Sequence, residues 1–295
     1  MSTGPVSTVW RALAPGLIVY AGLVPMLAPA SAQTAGAAAI LAPHRAIYDM
    51  TLDKSRNGSS ISAVKGRMVY ELTGSACDGY TQSMRFVTEM SSGEGTATTS
   101  DLRSSSWEDA AGTRFRFNST QLRDDKDAES TAGDAKRTGF NATLDVALTV
   151  PDKKSIELKP KTYFPVQHSI ALLEAAKAGK PVFRADLYDG SEQGQKVYDT
   201  NSLIGQPVKP KVHQALAPVK NAEKLSGMAA WPVSISYYEL DAEKQDAVPV
   251  YELGFLYYEN GVSRKLVIDY GEFAIRGDLA EITFFDAGKC EAPKR

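Results

Sequence analysis

The chain has 295 residues, with 33 Lys and Arg against 35 Asp and Glu, a net charge of −2 and 43% hydrophobic residues. That length and apolar content suffice for one large or two modest domains with a real core. The near balance of charge, with no concentrated run of Lys and Arg, removes the electrostatic footprint of a nucleic-acid binder.

Arg11 is followed by an apolar run from Ala12 to Ala30 that Pro15, Gly16, Gly22, Pro25 and Pro29 interrupt, and the run ends in "APASAQ". This is the charged, apolar and small-residue order of a secretory signal, so residues 1–32 are expected to be removed after Ala32, leaving Gln33 first. Helix breakers and a single flanking charge argue against a lasting membrane span. No cysteine follows the cleavage site to accept a lipid, and no later run is apolar enough to span. Residues 33–42 ("QTAGAAAILA") read as a flexible lead-in, and 43–295 as a single domain.

From there the period is two. Ala46, Tyr48, Met50 and Leu52 share one face, as do Val64, Met68, Tyr70 and Leu72, then Tyr80, Met84, Phe86 and Met90, then Phe115 and Phe117. Such alternation predicts half-buried antiparallel strands. The intervening "SRNGSS", "CDGY" and "EDAAGT" carry turn signals of hairpins. Residues 121–139, charged and poor in apolar side chains, are expected as a solvated hairpin on an edge. Next, "YFPVQHSIALLEAAKAGKP" places Val166, Ile170, Leu173 and Ala176 on a helical period, with Pro165 at the start and Gly179 at the stop. Strands resume at "VFRADLYDG" and, after a Pro- and Lys-containing segment, fill "WPVSISYYEL", "VYELGFLYYENGVSRKLVIDY" and "AEITFFDAG". The expected fold is mainly β: an extended antiparallel sheet curled into a spiral or open β-barrel, with one mid-chain helix.

The two cysteines, Cys77 and Cys290, are an even count in an exported chain and read as a disulfide. Closing a loop of about 210 residues stabilises by at most ~4–5 kcal/mol on the chain-entropy model. Catalytic chemistry is sparse. "GSEQG" lacks the spacing of a nucleophile elbow, and no HExxH, P-loop or GxGxxG occurs. His44, His168 and His213 are scattered, and no metal or cofactor is expected. The densest feature is aromatic: Tyr237, Tyr251, Phe255 and Tyr257 fall on one strand parity, a face that either lines a concavity or meets the helix through Val166, Ile170 and Leu173.

Several phrases resemble one family: "CDGY", "SSSWEDAAGTRFRF", "FPVQHSIALLEAAKAG", "LYDGSEQG", "WPVSISYYE" and "YELGFLYYENGVSRKLVIDYGEFAIRGDLAEITFF". In order and spacing, from about Ala42 to Cys290, they are similar to the EipB-like cell-envelope integrity proteins of alphaproteobacteria, a family long known only as a domain of unknown function. The resemblance implies a soluble periplasmic protein with an open-barrel fold shaped like periplasmic lipoprotein carriers. It also implies a Cys77–Cys290 disulfide and a role in envelope integrity under stress, without catalysis. The partner it leaves open is an envelope protein or a lipid or peptide ligand.

Overall fold

The computed structural model describes residues 41–208, 218–240 and 248–286. The signal segment 1–32 and Cys290 lie outside the described residues. Eight strands come first: β1 (His44–Ser55), β2 (Ile61–Ser75), β3 (Gly79–Ser92), β4 (Ala97–Glu108), β5 (Arg114–Arg123), β6 (Lys126–Lys136), β7 (Leu144–Val150) and β8 (Lys154–Leu158). A helix, α1 (Pro165–Lys177), separates them from β9 (Val182–Leu187), β10 (Tyr198–Ile204), β11 (Ala230–Glu239), β12 (Tyr251–Tyr258), β13 (Ser263–Asp269) and β14 (Phe273–Phe284).

All fourteen strands form one sheet, in the order β8-β7-β6-β5-β4-β3-β2-β1-β14-β13-β12-β11-β10-β9. Two meanders therefore run back to back and join where β1 pairs with β14, from His44 opposite Phe284 to Ser55 opposite Phe273. β8 and β9 are the two edges, and the chain between them carries α1. Just past β8, Tyr163 meets the end of β9: its N–H donates to Asp186 O at 2.7 Å, and Tyr188 N–H donates to Tyr163 O at 2.9 Å. Edges at opposite ends of the strand order can touch only if the sheet curls round, and it stays unclosed because this contact is a single bridge.

Directly paired residues share a face, so the register fixes an inner row of His44, Leu72, Gln82, Ser106, Phe117 and Gly133 across β1–β6. The faces expected for the first strands are the buried ones: Ala46, Tyr48, Met50, Val64, Met68, Leu72, Tyr80, Phe115 and Phe117 are all core residues. Packing is tightest near the join, where a Cβ on Gly277 would stand 2.9 Å from Met50 Sδ and 3.1 Å from Leu266 Cβ. Met50 thus reaches Leu266 over the bare backbone of β14.

Two expectations need correction. Residues 121–139 are not an edge: β6 is paired on both sides, with β5 and with β7. Its inward positions are small because other groups fill the space above them. A Cβ on Gly133 would lie 2.6 Å from the Phe117 ring, and Thr131 lies beneath Gly194 from the β9–β10 connection. Without large apolar side chains, the period of two was invisible there. The ordered domain also starts before residue 43, since Leu41 is 3% exposed and Ala42 N–H donates to Asn260 O at 2.9 Å.

Replacing Gly277 by Val should drive a branched side chain into Met50 and Leu266 and lower the unfolding free energy by about 1–3 kcal/mol. Chemical denaturation checks this; an unchanged midpoint would show that the join is loosely packed.

Candidate functional site: the helix-filled concavity

The helix begins at Pro165, which suits the first helical position, after an extended Phe164. It has no acidic residue in its first turn, and its free N–H groups are satisfied from elsewhere. Glu108, at the end of β4 and 2% exposed, accepts from Val166 N–H at 2.6 Å and Gln167 N–H at 3.1 Å. Arg137, 7% exposed, clamps the same end. Its Nη2 donates to Gln167 Oε1 at 2.6 Å, Nη1 to Thr162 O at 2.5 Å and Nε to Gly112 O at 2.9 Å. The guanidinium lies over the rings of Phe164 and Phe140, 4.6 and 5.1 Å from their centroids. Gly112, at φ 63°, must be glycine, because a Cβ there would sit 1.5 Å from Gln167 Nε2. At the other end Gly179, at φ 69°, stops the helix as expected.

Burial dominates the electrostatics. Desolvation pushes the Glu108 carboxyl up from 4.5 to about 8, against the two helix N–H groups and Arg137, which favour its charged form. Burial also lowers the pKa of Arg137. His168 is buried on α1, and desolvation takes it from 6.5 to about 4. Thr200 Oγ1 gives its hydrogen to Ala185 O at 2.7 Å, so His168 Nε2–H must be the donor in its 3.1 Å contact with Thr200. His168 is therefore a neutral packing residue, flanked by Tyr163 and Phe183.

The expected aromatic face and helix residues do come together. Val166 and Leu173 are buried in one cluster with Tyr198, Trp231, Tyr237 and Tyr257, against which Ile170, Tyr251 and Phe255 pack half-buried. Tyr237 and Tyr251 stack at 4.2 Å, and Tyr257 Oη donates to Ser169 O at 3.1 Å. This face is thus the seat of the helix, the second of the two uses its parity allowed. Ile170 also borders a cleft of about 400 Å³ between α1 and the β2–β3 and β4–β5 turns, with Ala76, Tyr80, Phe140, Tyr163 and Glu174 in its wall. Cys77 follows Ala76 in that first turn.

Beyond the helix the inner face is only partly covered. Met84 and Phe86 of β3 and Leu102 of β4 point inward and are half-buried, beside inward Gln82, Ser104 and Ser119. Sequence reasoning named Met84 and Phe86 but missed Glu108, Arg137 and Gln167. Glu108 had a usable signal: it keeps the inward parity of Tyr80 and Phe115, its direct partners, where a carboxylate is costly. Arg137 had none. Among the described residues no group of three or more His, Cys, Asp or Glu side chains is placed to hold a metal, and no helix is long and apolar enough to cross a membrane.

Comparison with known proteins agrees with this architecture. The EipB-like family model matches residues 35–286. The chain belongs to the EipB-like family. It is 38% identical over 262 residues to the cell envelope integrity protein EipB of Brucella abortus (strain 2308), spanning 88% of this chain and 90% of that one. A crystal structure of a beta-barrel-like protein of the domain of unknown function DUF1849, also from Brucella abortus, superposes with a TM-score of 0.77 at 37% identity, covering 85% of this chain and all of the other. The resemblance read from the sequence phrases and the mainly β, open-barrel fold are both borne out, and EipB-like chains are not a known enzyme family.

Glu108→Gln turns an amide N–H₂ toward one of the two helix N–H groups and should cost about 1–2 kcal/mol near pH 6. The folded chain holds the Glu108 proton up to about 8, the unfolded chain only to 4.5. Between those values the folded state binds more protons, so this group's contribution falls as pH rises through about 8. Unfolding measured from pH 5 to 9 should show wild type losing its advantage over Glu108→Gln; parallel curves would mean the carboxyl is ionised throughout.

Proposed function

We propose that this EipB-like protein is exported to the periplasm and supports the integrity of the cell envelope without catalysing a reaction, by holding an extended amphiphilic ligand, a lipid or a peptide, against its inner face. One observation carries the reading. Met84, Phe86 and Leu102 face inward yet are only half-buried, Met84 and Phe86 bordering the core, interleaved with Gln82, Ser104 and Ser119, beside a helix that fills only part of the curl. Apolar side chains with polar neighbours in a concave wall suit a ligand with both characters. The relative named for envelope integrity supplies the physiological context. A periplasmic lipid carrier is the narrower version, favoured if one lipid class is retained.

A Cys77–Cys290 disulfide belongs to the same proposal. Across His44, Phe284 of β14 stands two strands from Leu72 of β2, so the end of β14 and the turn bearing Cys77 share one end of the sheet. Four residues beyond Asp286 reach about 14 Å. The bond would tie the last strand to an early hairpin beside the cleft.

Deleting the gene should sensitise cells to detergents and to cell-wall antibiotics, with wild-type protein restoring tolerance. Phe86→Glu, at a half-buried position, should fail to complement and lose amphiphiles seen by mass spectrometry of organic extracts, with circular dichroism checking that the fold is kept. Full complementation by Phe86→Glu would remove the inner face from the mechanism. For the disulfide, thiol labelling of the denatured, unreduced protein should find no free thiol, and Cys77→Ser should lower the melting temperature; two labelled thiols would refute the pairing.

A further inference from the structure

The outer face of the same sheet carries a second feature that the inner-face reading does not use. By register, Thr81, Trp107, Arg116 and Asp134 form one outward row across β3–β6, and Ser83, Ser105, Asn118 and Ala132 form the next. The second row is built of short side chains. Two residues further along β3 and β4, Arg85 stands directly opposite Arg103. The short row thus runs beside the Trp107–Arg116 pair, and on β3 and β4 the two arginines follow it. A trough of about 610 Å³ lies over Thr81, Ser105, Trp107, Arg116, Asn118 and Asp134, with Thr149 of β7 at one end; Arg85 and Arg103 stand outside it. It runs from Thr81 of β3 to Thr149 of β7, and four strand spacings give it a length of roughly 19 Å.

Charge along the trough is unbalanced. Arg85 and Arg103 both lean on Asp101, at 2.9 and 2.7 Å. Asp134 is shared by Arg114 at 2.9 Å, Lys136 at 3.1 Å and Arg116 at 3.9 Å. Asp145 of β7 stands directly opposite Lys136, so five cations face three carboxylates. Beside them the same face pairs its charges one to one, Arg45 with Glu71 and Arg67 with Asp49. The Arg116 side chain is 55% exposed and its guanidinium carbon lies 4.6 Å from the Trp107 ring centre, so stacking orients the group; Nε faces Asp134 at 3.9 Å, and the terminal N–H groups are left for an anion. Trp107 is half-buried on a surface strand, and nothing in the core requires an indole there.

We propose that this trough is a binding site for a linear, carboxylate-bearing oligosaccharide. The indole offers a flat apolar wall for the C–H face of a pyranose ring, and Thr81, Ser105 and Asn118 offer hydroxyl and amide groups to sugar hydroxyls. Arg116, with Arg114 and Lys136 beside it, receives the carboxylates by charge-assisted hydrogen bonds, which fixes the polymer's sign. A length of roughly 19 Å suits a short run of sugar units rather than a single ring. A nucleic acid fits less well, because a single aromatic ring gives no stacking platform for successive bases. An apolar lipid chain finds no apolar floor.

Titration calorimetry on the full chain, with hexameric oligogalacturonate against uncharged maltohexaose of the same length and against inorganic phosphate, tests the site. Oligogalacturonate should bind at least tenfold tighter than either and weaken as salt is raised. Trp107→Ala and Arg116→Gln should each lower its affinity at least tenfold. Asn118→Glu, at an exposed position, should abolish binding while leaving the melting temperature unchanged. Phe86→Glu on the inner face should leave oligogalacturonate binding intact, which separates this site from the inner-face proposal. Equal affinity for maltohexaose, binding of phosphate as tight as that of the oligomer, an absence of heat with oligogalacturonate, or unchanged affinity in Trp107→Ala and Arg116→Gln would each overturn the proposal.

Discussion

The pairing of β1 with β14 is the constraint from which the rest follows. It joins the first meander to the last, and every other strand pair links neighbours in sequence through a short connection or, for β10 and β11, a longer one. Bulges between Ile47 and Tyr48 and between Leu52 and Lys54 interrupt the β1–β14 register, and such interruptions bend and twist a ladder. Gly277 keeps the join thin enough for Met50 to reach Leu266 across it. Because the contact joins opposite ends of the sequence, it pays the largest loop-closure entropy in the molecule, and a cross-link between the same regions would lessen that cost.

Once the sheet curls, its two edges meet at the helix, and the chemistry there is a balance of burial against hydrogen bonding. Capping by Glu108 satisfies two N–H groups at a helix end that has no acid of its own. The same burial makes the carboxyl reluctant to ionise. Arg137 ties together the β4–β5 turn at Gly112, the approach to the helix at Thr162 and the first turn at Gln167. Buried polar networks of this kind add little net stability but allow few alternatives, so they fix where the helix sits. The position of α1 decides how much of the concave wall stays open.

The two faces of the sheet then differ in character. Inside, aromatic and aliphatic side chains hold the helix and grade into a half-open amphiphilic wall. Outside, short polar side chains lie between arginines that outnumber their carboxylates. Strand alternation lets one stretch serve both: in "SSSWE", Ser104, Ser106 and Glu108 turn inward while Ser105 and Trp107 turn outward. A ligand on one face need not displace one on the other.

The local sequence determined what depends on local physics. Alternation located β1, β2, β3 and β5, Asn-Gly, Asp-Gly and Gly turns located the β1–β2, β2–β3 and β4–β5 hairpins, and Pro165 with Gly179 bounded the helix. The spacing of Tyr251, Phe255 and Tyr257 put them on one face, to which the β11–β12 register adds Tyr237, and phrase order pointed to the family. Tertiary structure decided the rest, because it depends on what lies across space. β6 reads as a solvated hairpin until Phe117 and Gly194 are seen filling the room above its small inward residues. The aromatic face could have lined a cavity or seated the helix, and only the position of α1 chose between them. Glu108 and Arg137 are distant in sequence from the helix they hold, and no period or motif connects residues whose sole relation is that folding buries them together.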